Sequence, residues 1–106
     1  MTQFVIQQSE SNKWFYEFLS EDGSILLTGN KHEIKQVCLG EIVSVKMNAV
    51  YEENFEIRKT PGNDYFFILR SMGNQQIIGI SEMYSNKDTC EKIISQTRKY
   101  IEKLKK

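Results

Sequence analysis

The chain repeats itself, and a repeat constrains a fold strongly because a recurring unit must bury its apolar face against its own copy. Phe4-x-Ile6 returns as Phe55-x-Ile57, Asn12 as Asn63, Trp14-Phe15-Tyr16 as Tyr65-Phe66-Phe67 and Ser20 as Ser71, all at an offset of 51. Past the next turn the offset becomes 52, so that Ile25 matches Ile77, Cys38 matches Cys90, Ile42 matches Ile94 and Lys46 matches Arg98. The second copy therefore carries one extra turn residue. Repeat one is residues 1–51 and repeat two is 52–106. A chain of 106 residues is the size of one domain, and half of it buries too little surface to hold a core alone. The expectation is a single domain, 1–106, in which both repeats contribute to one core.

Each copy reads as three strands and a helix. Near 3–8, Phe4 and Ile6 alternate with Val5 and Gln7; near 13–20, Trp14, Tyr16 and Phe18 alternate with Phe15, Glu17 and Leu19. Aromatic and β-branched residues at a period of two favour strands. Ser9-Glu10-Ser11-Asn12 and Thr60-Pro61-Gly62-Asn63 separate the first two strands of each copy. Asp22-Gly23 predicts a two-residue type I′ hairpin, and Met72-Gly73-Asn74 is its looser counterpart. Third strands follow near 24–29 and 75–81. The spacing of Ile34, Val37, Cys38, Ile42 and Val45 then predicts a helix from about 33 to 47, with Gly40 as its weak point. Cys90, Ile93, Ile94, Thr97, Ile101 and Leu104 mark a second helix from about 87 to 104, with Ser85, Asn86 and Asp88 as competing N-caps. The predicted fold class is α+β: tandem β-β-β-α units forming one mainly antiparallel sheet with both helices on one face.

These residues resemble the YegP-like family of small bacterial proteins of unknown function, built from tandem units of about 50 residues. The resemblance is carried in copy one by Trp14-x-Tyr16-x-Phe18, Asp22-Gly23 and Ile42-Val43-Ser44-Val45-Lys46-Met47-Asn48. In copy two it is carried by Tyr65-x-Phe67-x-Leu69 and Ser81-Glu82-Met83-Tyr84. Copy one has Gly29-Asn30-Lys31-His32 in place of the Ser-Glu-x-Tyr element, and copy two replaces the helix signature with Ile94-Ser95-Gln96-Thr97-Arg98-Lys99. The resemblance implies β-β-β-α-β units that share one sheet and exchange edge strands. It implies no activity.

Catalytic signatures are missing from the chain: there is no Gly-x-Ser-x-Gly, phosphate-binding glycine loop or dinucleotide fingerprint. His32 is the only histidine and has no ligand spacing around it, so no metal and no cofactor are expected. Cys38 and Cys90 fall on the buried helix stripes and are expected to be core thiols. Without an export signal or a long apolar run, the expected compartment is the cytoplasm, with no membrane contact. Fourteen basic residues balance fourteen acidic ones, but not locally. Residues 1–53 hold four lysines against eight acids, a net −4, and 54–106 hold ten basic residues against six acids, a net +4.

The leading functional expectation is a non-enzymatic module that binds a protein or a small ligand, with Ser81, Glu82, Tyr84, Phe15 and Phe66 as its binding residues. Phe15, Leu19, Phe66 and Ile68 are expected on the sheet face away from the helices, where an apolar patch would meet a protein partner or a second copy of the chain. The alternative is RNA binding through the basic last helix. In that reading Arg98, Lys99, Lys103 and Lys105 contact phosphates while sheet aromatics stack on bases.

Overall fold

The structure is a computed structural model that describes residues 3–104. Nine elements follow in order: β1 (Gln3–Gln8), β2 (Trp14–Leu19), β3 (Ile25–Thr28), α1 (Lys35–Asn48), a 3-10 turn (Glu52–Asn54), β4 (Phe55–Lys59), β5 (Tyr65–Arg70), β6 (Ile77–Ile80) and α2 (Lys87–Leu104). The fold is α+β, with six strands ordered β1-β2-β3-β6-β5-β4 and every pairing antiparallel. One register row crosses the whole sheet: Val5, Glu17, Thr28, Ile80, Ile68 and Glu56. The edge strands β1 and β4 pair within their own halves, with β2 and β5. The exchange of edge strands implied by the family resemblance is therefore absent. The short connections explain this, because a three-residue loop returns the chain to the adjacent position and to no other.

The loops share one chemistry. At 10–12, 21–23 and 61–63 the flanking residues close a backbone hydrogen bond, and the last loop residue, Asn12, Gly23 or Asn63, takes a positive φ of 64°, 87° or 68°. Gly tolerates that region because it has no Cβ to clash, and Asn because its short polar side chain can hydrogen-bond locally. The hairpin at Asp22-Gly23 is thus a three-residue loop with a bulge, and not type I′, which requires positive φ at both central residues. The register shift between Phe18 and Leu19 is part of the same irregularity. Asp22 accepts hydrogen bonds from the Ser20 hydroxyl and from the Ser24 amide and hydroxyl, and these bonds lower its pKa to about 2. The loop 72–75 is one residue longer, with Gln75 at φ 60°.

Both helices lie on one face of the sheet, where Tyr16, Phe18, Phe67 and Leu69 form a core with Leu26, Leu27, Cys38, Ile42, Val45, Ile78, Cys90, Ile94 and Ile101. α1 packs over β2, β5 and β6, and α2 over β4 and β5. Asn86 caps α2 by accepting the Thr89 amide at 2.8 Å. On α1 the buried face differs from the predicted one. Ile34 and Val37 are 59% and 49% exposed, whereas Glu41 and Ala49 are buried. Leu39, Val43 and Met47 are exposed as well, so apolar residues surround α1 and the sequence pattern alone does not fix its rotation. On α2, Leu104 is likewise exposed.

The seam between the halves is held by few ladder contacts and by side chains. Only Thr28 and Ile80 pair across it. The Tyr16 hydroxyl donates to the Ile78 carbonyl at 2.6 Å, and Asn30 Nδ2 donates to the Ile77 carbonyl at 2.7 Å. The Tyr16 hydroxyl lies where a Cβ on Gly79 would be 2.7 Å away, which accounts for glycine there. At the far end of α1, Asn48 accepts the Met72 amide at 2.8 Å and donates to the Ser44 carbonyl, tying the helix to the β5–β6 loop.

Candidate functional site

The expected binding residues do not converge. Ser81 is buried; its hydroxyl accepts the Phe67 amide at 2.8 Å and donates to the Glu82 carbonyl at 2.8 Å, so its hydrogen-bonding capacity is used by the backbone. Glu82 is exposed. Tyr84 is half-buried against the core, exchanges two backbone hydrogen bonds with Tyr65, and has a phenol whose pKa is raised, first by burial. The element closes a sheet end through the Tyr65–Tyr84 bridge.

The far face of the sheet is also less apolar than expected. Ile68 is only 1% exposed although no helix covers it. Its cross-strand partner Glu56 is held by Arg58 at 3.0 Å and Arg70 at 3.4 Å. Arg58 lowers the Glu56 pKa, chiefly through that hydrogen bond. In the other half, Gln7 donates to Glu17 at 3.2 Å across the same face. Phe15 and Phe66 are half-buried, and they sit on strands three spacings apart, roughly 14 Å. Ile80 is the one large apolar residue of this face that is clearly exposed among the described residues. Phe15 and Phe66 are thus held apart on this face, each partly covered. The nucleic-acid arrangement separates for the same reason: α2 lies on the helix face, while Phe15 and Phe66 point to the opposite one. Lys99 and Lys103 are exposed and Lys105 lies outside the described residues. Arg98 is engaged by its own chain, with Nε and Nη2 donating to the Val50 carbonyl at 3.3 Å and Nη1 lying 3.9 Å from Glu52.

A polar cluster in half one escaped the sequence pattern. Glu41, on the buried face of α1, accepts the Asn30 amide at 2.9 Å and Asn30 Nδ2 at 2.8 Å. His32 Nε2 lies 3.2 Å from Glu41 Oε2 but makes no aligned hydrogen bond. A Cβ on Gly29 would be 2.6 Å from Glu41 Oε1 and inside the Tyr16 ring edge. Cys38, nearby, has its thiol pKa raised by burial and then by the Glu41 charge, which keeps it neutral. The carboxylate is thus committed to pinning the β3–α1 connection. Among the described residues, no three His, Cys, Asp or Glu side chains gather where they would hold a metal ion, and no helix is long and apolar enough to cross a membrane.

A concavity runs between α2 and the edge strand β4, with a volume of about 630 Å³. Phe55, Ile57 and Ile94 form its apolar floor; Lys87 and Glu91 stand at one end, Arg98 and Glu52 at the other, and Ser95 lies between. Half one has the same elements, with different side chains over its edge strand. There Lys35 lies over the Trp14 ring at 5.4 Å and Lys46 over the Phe4 ring at 5.6 Å, and Leu39 and Val43 stand where the other half has Glu91 and Ser95. In half two the guanidinium of Arg98, the counterpart of Lys46, is drawn away to the Val50 carbonyl, so the groove stays open. Of the residues expected to form a site, only Arg98 lines it. The available signal was the 52-residue offset, which turns a bulky Leu and Val into Glu91 and Ser95 on the helix flank that overhangs the edge strand.

Comparison with known proteins agrees with this architecture. Residues 62–102 match a family profile described as a domain of unknown function, DUF1508. The chain is 30% identical over 95 residues to the UPF0339 protein plu2779 of Photorhabdus laumondii, covering 90% of this chain and 82% of that protein. It is 30% identical over 95 residues to the UPF0339 protein YegP of Escherichia coli K12, covering 90% and 86%. The solution NMR structure of yegP from E. coli, a protein of unknown function, superposes with a TM-score of 0.85 at 27% identity over 92% of this chain and 83% of that one. A Shewanella oneidensis UPF0339 protein shares the fold at the same TM-score and 22% identity. With its six-stranded sheet, two helices and similarity to these proteins over about nine-tenths of its length, the chain belongs to the YegP-like UPF0339 family.

Proposed function

We propose that this protein is a duplicated, non-enzymatic binding module of the cytoplasm whose working site is the groove between β4 and α2. The observation that carries the reading is the groove itself, open over Phe55, Ile57 and Ile94, where the corresponding part of the other half has Lys35 over the Trp14 ring and Lys46 over the Phe4 ring. Its volume falls within the range of small-ligand pockets, and an apolar floor with a few placed charges is the composition that binds and orients an organic ligand. Duplication is supported by the two constant offsets and by the equal placement of the bridges Trp14 with His32 and Tyr65 with Tyr84. A non-enzymatic role is supported by the chemistry of the polar side chains, since Ser81, Glu41 and Arg98 are each committed to the chain's own backbone or side chains and stand apart from one another, whereas a nucleophile and its base must meet within hydrogen-bond reach.

The test is a titration of the isotope-labelled protein with a library of aromatic, carboxylic and amide fragments, read by amide chemical shifts. Shifts concentrated at Phe55, Ile57, Ile94 and Ser95, and abolished by Ser95→Trp, are expected. Fragments that perturb any other region equally, or none at all, would overturn the proposal.

A further inference from the structure

The groove lies beside a free strand edge. β4 is an edge of the sheet, so alternate residues turn their backbone N–H and C=O groups away from β5 and beneath the overhanging flank of α2. Charged side chains on an edge strand ordinarily repel an added strand, but those of β4 are occupied elsewhere. Arg58 and Arg70 hold Glu56 across the opposite face, and Lys59 lies over the Tyr65 ring at 5.9 Å. The dimensions agree as well. From Lys87 to Arg98 the groove spans eleven positions of α2, roughly 16 Å, the length of about five extended residues and the length of β4 itself. Charged residues stand at both ends, Lys87 and Glu91 at one and Arg98 with Glu52 at the other, and leave the middle neutral and apolar.

We infer that the ligand is an extended peptide segment of a partner protein that adds to β4 as a seventh strand. The inference rests on the groove reading above and deepens it. The segment is about five residues long and uncharged at its centre, and it carries apolar side chains at alternate positions that seat among Phe55, Ile57 and Ile94. Backbone pairing supplies a register and the alternate side chains supply selectivity, as in other strand-addition sites. Near the other sheet edge, Lys46 lies over the Phe4 ring of β1 and Lys35 over the Trp14 ring of β2.

A random dodecapeptide library displayed on phage, selected against the whole protein, provides the probe. Selected peptides are expected to share apolar residues at alternate positions and, once synthesised, to slow amide exchange along β4. Ser95→Trp, an exposed position that fills the groove without entering the core, is expected to weaken binding at least tenfold, and Val43→Lys on α1 is expected to leave it unchanged. Failure to select peptides, exchange protection along β1 or α1 instead of β4, or indifference to Ser95→Trp would each overturn the inference. If fragments bind the groove and peptides do not, strand addition fails and the groove reading survives; if neither binds, both fail.

Discussion

Replacing Gly29 by serine copies into half one the residue that half two has at the matching position, Ser81, and it is expected to be severely destabilising. The backbone at the two positions is alike, since the Gly29 amide donates to the Tyr16 carbonyl at 3.0 Å and the Ser81 amide to the Phe67 carbonyl at 2.9 Å. The surroundings are not alike. A Cβ at Gly29 enters the edge of the Tyr16 ring, which is fully buried and has no room to turn, and comes within 2.6 Å of Glu41 Oε1. Overpacking of this kind costs about 1–3 kcal/mol. Pushing the carboxylate aside also strains its two bonds from Asn30, and losing the equivalent of one hydrogen bond to a charged group costs roughly 1.5–3 kcal/mol. A total of about 3–6 kcal/mol is a large part of the roughly 5–15 kcal/mol that a domain possesses. Urea denaturation followed by circular dichroism and by the single tryptophan, Trp14, reads the change; at a slope near 1.5 kcal/mol per molar, the midpoint falls by about 2–4 M or the variant is unfolded in buffer. The converse change, Ser81→Gly, leaves the Phe67 amide without its partner and costs about 1–3 kcal/mol. A Gly29→Ser protein within about 1 kcal/mol of the parent would refute the account of how Tyr16, Gly29 and Glu41 fit together.

Other outcomes are open to direct measurement. Gly40 lies exposed inside α1 with open space where a Cβ would stand, so Gly40→Ala should stabilise by about 1 kcal/mol and raise Tm by roughly 4 °C in a thermal melt; a lower Tm would contradict its placement. The Tyr16 phenol is held well above its ordinary value of 10.0 by burial. Its stabilising contribution is complete below pH 10 and is lost as pH rises beyond it, so absorbance titration should show one of the five tyrosines ionising only on alkaline unfolding. Asp22 titrates near 2 against 3.8 for the ordinary side chain. Its contribution is therefore present above pH 3.8 and lost on descending to 2, and Asp22→Asn should flatten that part of the acid-stability curve; an unchanged curve would remove the hairpin role. Cys38 and Cys90 are fully buried, with thiol pKa values raised first by burial, and a thiol-labelling reagent should react with neither until the chain unfolds.

Strand positions were legible because aromatic residues alternate on both second strands, and loop ends were legible because Asn12, Gly23 and Asn63 fill positions that other residues avoid. The boundaries of α2 were legible because its outer surface is polar. The orientation of α1 was not: Val37, Leu39, Val43 and Met47 make all its sides apolar, and the buried carboxylate of Glu41 reads as a surface charge until Asn30 is seen to hold it. The groove was hidden for a different reason. It arises from where Arg98 points, and that is set by the Val50 carbonyl at the end of another element.

The seam gives the molecule an assembly property. Because Tyr16 and Asn30 bond to carbonyls of Ile77 and Ile78, each half closes hydrogen bonds that the other leaves open, and the join runs through the middle of the sheet instead of through a linker. Separately expressed fragments 1–51 and 52–106 should thus be unstructured alone and regain the sheet when mixed, which makes the chain a natural scaffold for fragment complementation.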